Sequence, residues 1–216
     1  MASVPTIVLP LKRPKECELE GALMLVLEQR VRMDSHAGVV PEAACHAAKQ
    51  VHDQRAKLVS IEKLAPYTSE DAAASFLKYA ASILRLENRF DNLGSELQLS
   101  FKWRDAFNPN KKCEQSDLQW ERVGAYFAAA ASHSYTAAQE QQRGNHRDAA
   151  SLYQQAASCL NECFTLTKPA IWGLQPRWDP KLLTADVQLP MLEALRDLML
   201  AQSQRTFYEK GMTSVN

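Results

Sequence analysis

Two consecutive segments in the middle of the chain carry small and apolar residues at helical spacing, with a short polar break between them. In the first segment, residues 117–142, the residues that recur every three or four positions are Trp120, Val123, Phe127, Ala130, Ser134 and Ala137. In the second segment they are Ala149, Tyr153, Ala156, Leu160 and Cys163. Such spacing places the residues on one face of a helix. Because Arg143, Gly144 and Asn145 supply a tight turn between the segments, the sequence predicts an antiparallel helical hairpin.

Most of the remaining chain repeats the helical pattern. Apolar stripes indicate helices over residues 17–33, from Pro41 to about 64, and from 71 to about 90. A last helix is expected from Pro190 to Gly211, where glycine is a good C-terminal stop. With only 7 glycines in 216 residues, turns are scarce. The predicted fold class is therefore mainly α.

One stretch departs from the helical period. In residues 97–104, Leu97, Leu99, Phe101 and Trp103 alternate with polar residues. A period of two is typical of a half-buried strand, and a strand needs a partner. Residues 6–11 are the other β-rich segment, so we expect these two segments to pair in a small sheet near the N-terminus. Trp103 lies on the apolar phase and is predicted to be a buried anchor.

Composition and charge exclude several classes of function. Lys plus Arg and Asp plus Glu both total 25, so no overall field favours nucleic acid. The longest apolar run, residues 22–27, is far shorter than the ~20 residues that span a bilayer. Five scattered cysteines do not form a disulfide framework. With no signal-peptide pattern at the N-terminus, these features predict an intracellular protein without a transmembrane segment.

The candidate catalytic and metal-binding residues have simpler interpretations. Cys159 and Cys163 are one helical turn apart, but no second pair of ligands completes a metal site, so they are expected to be core thiols. His133 and Ser134 are neighbours on a helix and point apart, which disfavours a catalytic dyad. No phosphate-binding loop or hydrolase motif is present. We therefore predict no cofactor, no metal and no enzymatic activity.

A small basic cluster surrounds the end of the predicted strand and consists of Lys102, Arg104, Lys111 and Lys112. A solvated surface is the simpler interpretation of this cluster, and a lipid or phosphate site is the alternative.

The central hairpin resembles a tetratricopeptide unit. Trp120-x2-Val123-Gly124-x2-Phe127 follows the first helix of that repeat, and Ala149-x3-Tyr153 follows the second. The two halves are spaced too widely for a standard repeat, and no second copy is visible. The hairpin is interpreted as one stretched helix pair of this kind. A tetratricopeptide-like peptide-binding module is therefore one hypothesis for the function.

Five ordered blocks resemble the BRO domain, the N-terminal module of Alix-type proteins. They are FLKYAASILRLENRF, LQLSFKWRDAF, ERVGAYFAAAASHSYTAAQ, AASLYQQAASCL and LMLAQSQRTFYEK. The best single motif contains Phe101, Trp103, Asp105 and Phe107. The resemblance spans residues 4–212 and implies an elongated tetratricopeptide-like helical array with a small antiparallel sheet. Residues 1–216 are then expected to be a single BRO-type domain that is truncated at its C-terminus.

The resemblance also implies a function. Members of the family are non-enzymatic adaptors that bind the C-terminal amphipathic helix of an ESCRT-III subunit in endosomal sorting and membrane scission. It implies a cytoplasmic protein that is recruited to endosomes through its partners and does not bind nucleic acid. The binding aromatic of the family falls on Phe207, while other contacts of the groove lie beyond Asn216. The polar loop 108–117 gives no support for lipid insertion.

The position of Phe207 on the last predicted helix can be compared with this expectation. With Leu195 at the centre of the apolar face and about 100° per residue, Phe207 lies about 120° away and Leu200 about 140° away. From the wheel alone, packing under another helix is favoured over a partner groove. The resemblance shifts the balance to the groove, so Phe207 and Leu200 are the predicted partner-binding residues.

Overall fold

The computed structural model describes residues 6–33, 38–61, 71–90, 92–168 and 177–213. Its elements, in chain order, are α1 (Leu19–Met33), α2 (Glu42–Ile61), α3 (Asp71–Arg89), the short α4 (Leu93–Glu96), β1 (Phe101–Arg104), β2 (Lys112–Gln115), α5 (Leu118–Gln142), α6 (His146–Thr167), a 3-10 turn (Ala185–Val187) and α7 (Leu189–Thr213). The helices pack successively, α1 on α2, α2 on α3, α3 on α5, α5 on α6 and α6 on α7. The predicted helical array is confirmed.

The predicted central hairpin is also confirmed. Helices α5 and α6 are joined at Arg143, Gly144 and Asn145, and Gly144 has a φ of 81°, in the left-handed region that glycine adopts without strain. Helix α5 is enclosed between α3 and α6, and 17 of its 25 residues are buried. The alanines from Ala128 to Ala131 are fully buried, which lets neighbouring helices approach closely.

The sheet differs from the predicted one. β1 pairs in an antiparallel register with β2, so that Trp103 faces Cys113 and Arg104 faces Lys112. Residues 6–11, predicted to be the second strand, belong to no strand and no helix. The prediction missed β2 because KCEQ is polar at three of four positions. Only Cys113 is buried, so the sequence shows no alternation of apolar and polar residues.

The N-terminal segment nevertheless contacts β1, a few residues further along than predicted. Pro14 forms an isolated antiparallel bridge with Trp103. The N–H of Lys15 donates to the C=O of Lys102 at 2.9 Å, and the N–H of Arg104 donates to the C=O of Arg13 at 2.9 Å. Residues 13–15 therefore form a third line of backbone against β1, and we call residues 6–15 the N-terminal strap.

The last predicted helix is present, but it ends two residues beyond the expected end near Gly211. Helix α7 continues through Gly211 to Thr213, so this glycine is not a stop. Among the described residues, no helix combines the length and the apolar character needed to cross a membrane.

Candidate functional site

The buried face of α7 changes its chemistry along the helix. Toward the N-terminal end it is apolar and contains Leu192, Leu195 and Met199. Beyond Met199 it becomes polar and contains Gln202, Ser203 and Thr206, all of which are buried. Buried polar groups need hydrogen-bond partners, so this half of the helix is held by directional bonds rather than by apolar packing alone.

Those bonds fix α7 on two sides. The amide of Gln202 binds the backbone of Ile7 in the N-terminal strap, since Ile7 N–H donates to Gln202 Oε1 at 2.7 Å and Gln202 Nε2 donates to the C=O of Ile7 at 3.0 Å. The hydroxyl of Ser203 donates to the C=O of Ala150 on α6 at 3.0 Å. The rotation of α7 about its axis is therefore determined by these contacts.

This rotation leaves an apolar pair on the outer side of α7. Leu200 is 41% exposed and Phe207 is 48% exposed, so neither is packed into the described core. They are seven residues apart, which places them on one side of the helix and about 10 Å apart along its axis. We call Leu200 and Phe207 the α7 apolar pair. Tyr208, which is 70% exposed, lies one position round the helix.

The outer line of α7 has an acidic end and an apolar end. Exposed residues at alternating steps of four and three form this line: Glu193, Asp197, Leu200, Gln204, Phe207 and Gly211. Glu209 lies beside the apolar end, where it accepts from Arg205 Nε at 2.7 Å and from Gln141 Nε2 at 2.8 Å. The line can therefore contact apolar side chains near Phe207, whereas at the acidic end Arg196 already pairs with Asp197 at 2.9 Å and with Glu193 at 3.5 Å.

Three of the four predicted structural-motif residues are buried. Phe101 and Trp103 are fully buried, and Trp103 Nε1 donates to Glu121 Oε2 at 2.6 Å. Asp105 is buried and accepts from the backbone N–H of Phe107 at 2.8 Å and of Ala185 at 3.1 Å, so it fixes the turn after β1. Phe107 differs from its neighbours because it is 49% exposed.

A buried charge network lies beneath the motif. Glu121 accepts from Arg55 Nε at 2.6 Å and from the hydroxyl of Tyr79 at 2.9 Å, in addition to Trp103. Burial acts to lower the pKa of the Arg55 guanidinium, but Glu121, with Tyr79 and Cys17 adding to it, makes the net shift of this pKa upward. Burial, with Glu121 adding to it, raises the pKa of Tyr79 well above its usual value. The network joins α2, α3, β1 and α5.

A second buried ion pair anchors the N-terminal strap. Lys12 Nζ lies 2.6 Å from Asp186 Oδ2, and both side chains are fully buried. The same oxygen accepts from the N–H of Ala106 at 2.9 Å. The sequence analysis identified neither ion pair, because the partners are 174 and 66 residues apart and no local pattern connects them.

The residues considered for catalysis have structural roles. The hydroxyl of Ser134 accepts from the N–H of Leu9 at 3.0 Å and donates to the C=O of Ala131 at 2.9 Å. His133 is buried, and the loss of solvation lowers the pKa of its imidazole. The five cysteines are free, and Cys113, Cys159 and Cys163 are buried. In the described part of the chain, no group of three or more His, Cys, Asp or Glu residues is positioned to hold a metal.

The fold is a helical array with an outward-facing apolar pair on α7, and comparison with known proteins gives the family of the chain. The BRO1-like domain family matches residues 6–216, so the chain belongs to this family. Rhophilin-2-B of Xenopus laevis is 24% identical over 220 residues, which cover 99% of this chain and 28% of the relative.

Solved structures share the fold. The ALIX BRO1 domain in complex with CHMP4C is 25% identical with a TM-score of 0.76, over 97% of this chain and 57% of that one. ALIX in complex with the SIVmac239 PYKEVTEDL late domain is 23% identical with a TM-score of 0.77, over 97% and 29%. A Bro1 domain described as a basis for endosomal targeting is 19% identical with a TM-score of 0.70, over 94% and 51%. The chain therefore spans less than two thirds of each of these proteins.

Proposed function

We propose that this chain is a non-enzymatic adaptor whose α7 apolar pair binds the C-terminal amphipathic helix of an ESCRT-III subunit. The observation that carries the proposal is the half-exposed pair Leu200 and Phe207 on a helix whose orientation is fixed by buried hydrogen bonds. Support also comes from membership of the BRO1-like domain family and from the ALIX BRO1 domain, which forms a complex with CHMP4C.

The physical basis is recognition of one helix by the surface of another. An amphipathic helix presents apolar side chains at steps of three and four, and its affinity comes from a few of them that become buried. Leu200 and Phe207 are spaced by two helical turns, which matches two such anchors. Because α7 is already rigidly placed, binding does not require the helix to be reoriented, and this limits the entropic cost of association.

The proposal includes the setting of the protein. Residues 1–216 form a single BRO-type domain that corresponds to part of the longer domain in the solved relatives. The protein acts in the cytoplasm and reaches endosomes by peripheral association through its partners, with no cofactor and no nucleic acid involved. Scission and cargo sorting belong to the assembly that it joins.

A second candidate is a tetratricopeptide-like peptide-binding module outside the ESCRT pathway. The relative Rhophilin-2-B matches nearly the whole chain, so family membership alone does not select an ESCRT-III partner. The stacked helices α5, α6 and α7 provide the corresponding architecture. The two candidates differ in the ligand, since the first requires an apolar helix and the second requires an acidic extended C-terminus.

The test is a binding titration of the purified chain with three labelled peptides. The first is the C-terminal helix of CHMP4C, the second is the same peptide with its apolar face changed to serine, and the third is an acidic extended peptide with a free carboxylate. We expect binding of the first peptide alone. Binding of the third peptide alone would support the second candidate, and equal binding of the first two would contradict helix recognition by the apolar pair.

A further inference from the structure

The outer face of the small sheet carries a line of positive charge across three lines of backbone. Arg104 on β1 is opposite Lys112 on β2, and on the other side its N–H binds the C=O of Arg13. Residues that face each other across an antiparallel ladder project to the same side of the sheet. Arg13, Arg104 and Lys112 therefore form one row, which we call the basic row, and the exposed Lys111 follows it in the adjoining turn.

The opposite face of the sheet is closed. Pro14, Trp103 and Cys113, which alternate with the basic row, are all buried. The next cross-strand pair on the same face consists of Lys102 and Glu114. Its charges neutralise each other, since Glu114 Oε1 lies 3.0 Å from Lys102 Nζ. Hydrogen bonds from Ser100 and then from Lys102 lower the pKa of Glu114, so this carboxylate is already engaged. Among the described residues, Arg104 and Lys112 form no ion pair, although the charge of Lys112 also lowers the pKa of Glu114. Like charges that face each other across strands are unfavourable until an anion covers them.

The hydrogen-bond pattern shows which edge of the sheet remains open. The N–H of Asp105 donates to the C=O of Lys111 at 3.0 Å, so this pair is hydrogen-bonded in the ladder. Hydrogen-bonded pairs recur at every second residue, so the backbone N–H and C=O groups of Cys113 and Gln115 also point toward β1. The backbone groups of Lys112 and Glu114 then point away from β1. Neither residue forms a backbone–backbone hydrogen bond with another residue in the described ranges, although the N–H of Glu114 also lies against the thiol of Cys113.

We propose that the outer edge of β2 is a second docking site, which takes an acidic extended segment of a partner protein as an added strand. Added strands gain affinity from main-chain hydrogen bonds and specificity from alternate side chains. Here the main-chain groups of Lys112 and Glu114 supply the bonds. Lys112, Arg104 and Lys111 supply the complementary charge for acidic side chains on the outer face. The inference is independent of the α7 apolar pair, because it concerns a different element.

The lysines disfavour pairing of this edge with a second copy of itself. Open edges of natural sheets are protected by short strands and by charged side chains, especially lysine. β2 has four residues and begins with Lys112, so two copies of the edge would bring like charges together. The same positive charge attracts an acidic strand, so the edge of β2 discriminates between partner strands by their charge.

The first arm of the test uses labelled synthetic peptides and fluorescence anisotropy. The probe is TEVEVET, capped at both ends, with TKVKVKT as the charge control. Two further probes carry backbone N-methyl groups at alternate residues, so that each blocks one edge of the peptide. We expect TEVEVET to bind at low salt and to weaken as salt rises, because the charges are exposed. TKVKVKT should not bind, and at least one N-methylated probe should lose binding.

The second arm uses variants for which strand pairing and charge predict opposite results. Glu114→Gln removes a negative charge and should strengthen binding of TEVEVET. Glu114→Pro removes the same charge but also removes the outward N–H, which proline can do on an edge strand without breaking the fold. It should therefore weaken binding at least about fivefold relative to Glu114→Gln, as expected when about 1 kcal/mol of hydrogen bonding is lost. Lys112→Glu should also weaken binding, whereas Lys49→Glu, an exposed change on α2, should not.

The outcomes that overturn the proposal are distinct. Equal affinity for all N-methylated probes would show an electrostatic contact without strand pairing. Absence of TEVEVET binding would show that the edge is closed. Binding of phosphatidylserine-containing vesicles that depends on Lys112, without peptide binding, would make the basic row a membrane surface. Unfolding midpoints of all variants verify that each loss of binding occurs in a folded protein.

Discussion

The indole of Trp103 lies directly over Gly124, and the space that it occupies is the space a side chain at position 124 would need. A Cβ atom built on Gly124 would lie 2.2 Å from Cε2 and 2.3 Å from Cδ2 of Trp103. Both distances are far inside van der Waals contact, and the ring is fully buried. Gly124 is therefore required by the close approach of β1 to α5, and the contact sets how the sheet rests on the helical array.

Gly124→Ala is predicted to destabilise the protein. The indole is rigid and enclosed, so a methyl group forces β1 away from α5, at a cost of about 1–3 kcal/mol or more. Gly21→Ala is the matched control, because a Cβ at Gly21 in α1 meets nothing within 4 Å. Removing a helical glycine without a clash should stabilise the chain by up to about 1 kcal/mol. Urea unfolding measures both changes, and a neutral or stabilising effect of Gly124→Ala would contradict the packing described.

Trp103→Ala is predicted to cost about 3–5 kcal/mol, as large aromatic truncations in cores do. Trp103→Phe separates the two roles of the side chain, because it keeps a buried ring but removes the N–H that Glu121 accepts. Weakening the hydrogen bonding of a buried carboxylate should cost about 1–3 kcal/mol. Denaturant unfolding tests both variants, and a loss below about 1 kcal/mol for Trp103→Ala would place the ring outside the core.

These contacts show what the sequence could and could not predict. The helical stripes were sufficient for α1, α2, α3, α5 and α6, because each buries one face and the period of that face is visible locally. The alternation around Trp103 likewise identified β1, although the strand covers only Phe101–Arg104 of the predicted residues 97–104, and Leu97 instead ends the short helix α4. β2 was missed because a single cysteine, Cys113, is its only buried residue. Residues 6–11 were misassigned because their apolar side chains satisfy a strand pattern, while their backbone bonds go to side chains such as Ser134 and Gln202.

The candidate site was predictable only in part. The helical wheel placed Leu200 and Phe207 off the apolar face of α7, and the structure leaves both half exposed. The buried hydrogen bonds of Gln202 and Ser203 that fix α7 could not be foreseen, since their partners are 195 and 53 residues away. The open edge of β2 depends on which backbone groups face β1, and this information is absent from side-chain patterns.

His133 is predicted to make the protein less stable in mild acid. Burial lowers the pKa of His133 in the folded state below its usual value of 6.5. The unfolded chain therefore binds more protons below pH 6.5, and the folded state loses stability as pH falls from there toward the depressed pKa. His133→Gln cannot titrate, so its free energy of unfolding should fall less between pH 7 and 5 than that of the unmodified protein. Urea unfolding over this range measures the difference, and identical slopes would show that the pKa of His133 is the same in the folded and unfolded states.

The thiols are predicted to differ sharply in reactivity. Burial, assisted by Glu162, raises the pKa of Cys159 to about 12, and burial raises the pKa of Cys113 and Cys163 as well. Because the thiolate is the reactive form, these three should be protected from a disulfide reagent in the native protein. Cys45, which is only half-buried, should react first, and all five should react in denaturant. Rapid native labelling of Cys159, located by mass spectrometry, would contradict the packing of α6.

Phe207→Asp is predicted to abolish binding of the CHMP4C C-terminal helix without unfolding the chain. The change removes an apolar anchor and leaves a carboxylate to be desolvated in the complex. The expected penalty is about 2–4 kcal/mol, or roughly 30- to 1000-fold in affinity. Leu200→Asp should act in the same direction, because the two residues form one apolar pair. The measurement is a fluorescence titration of the labelled peptide with each variant of residues 1–216.

Phe107→Asp is the matched control for this experiment. Phe107 and Phe207 are 49% and 48% exposed, so the same substitution changes equal fractions of surface at two different places. Phe107 follows β1 in the turn fixed by Asp105, whereas Phe207 lies on the outer side of α7. If both variants bind the helix normally with unchanged unfolding midpoints, Phe207 is not an anchor. If Phe207→Asp alone lowers the midpoint strongly, the aromatic ring contributes to packing rather than to a groove. Loss of binding by Phe207→Asp alone, with both midpoints unchanged, assigns the partner site to α7.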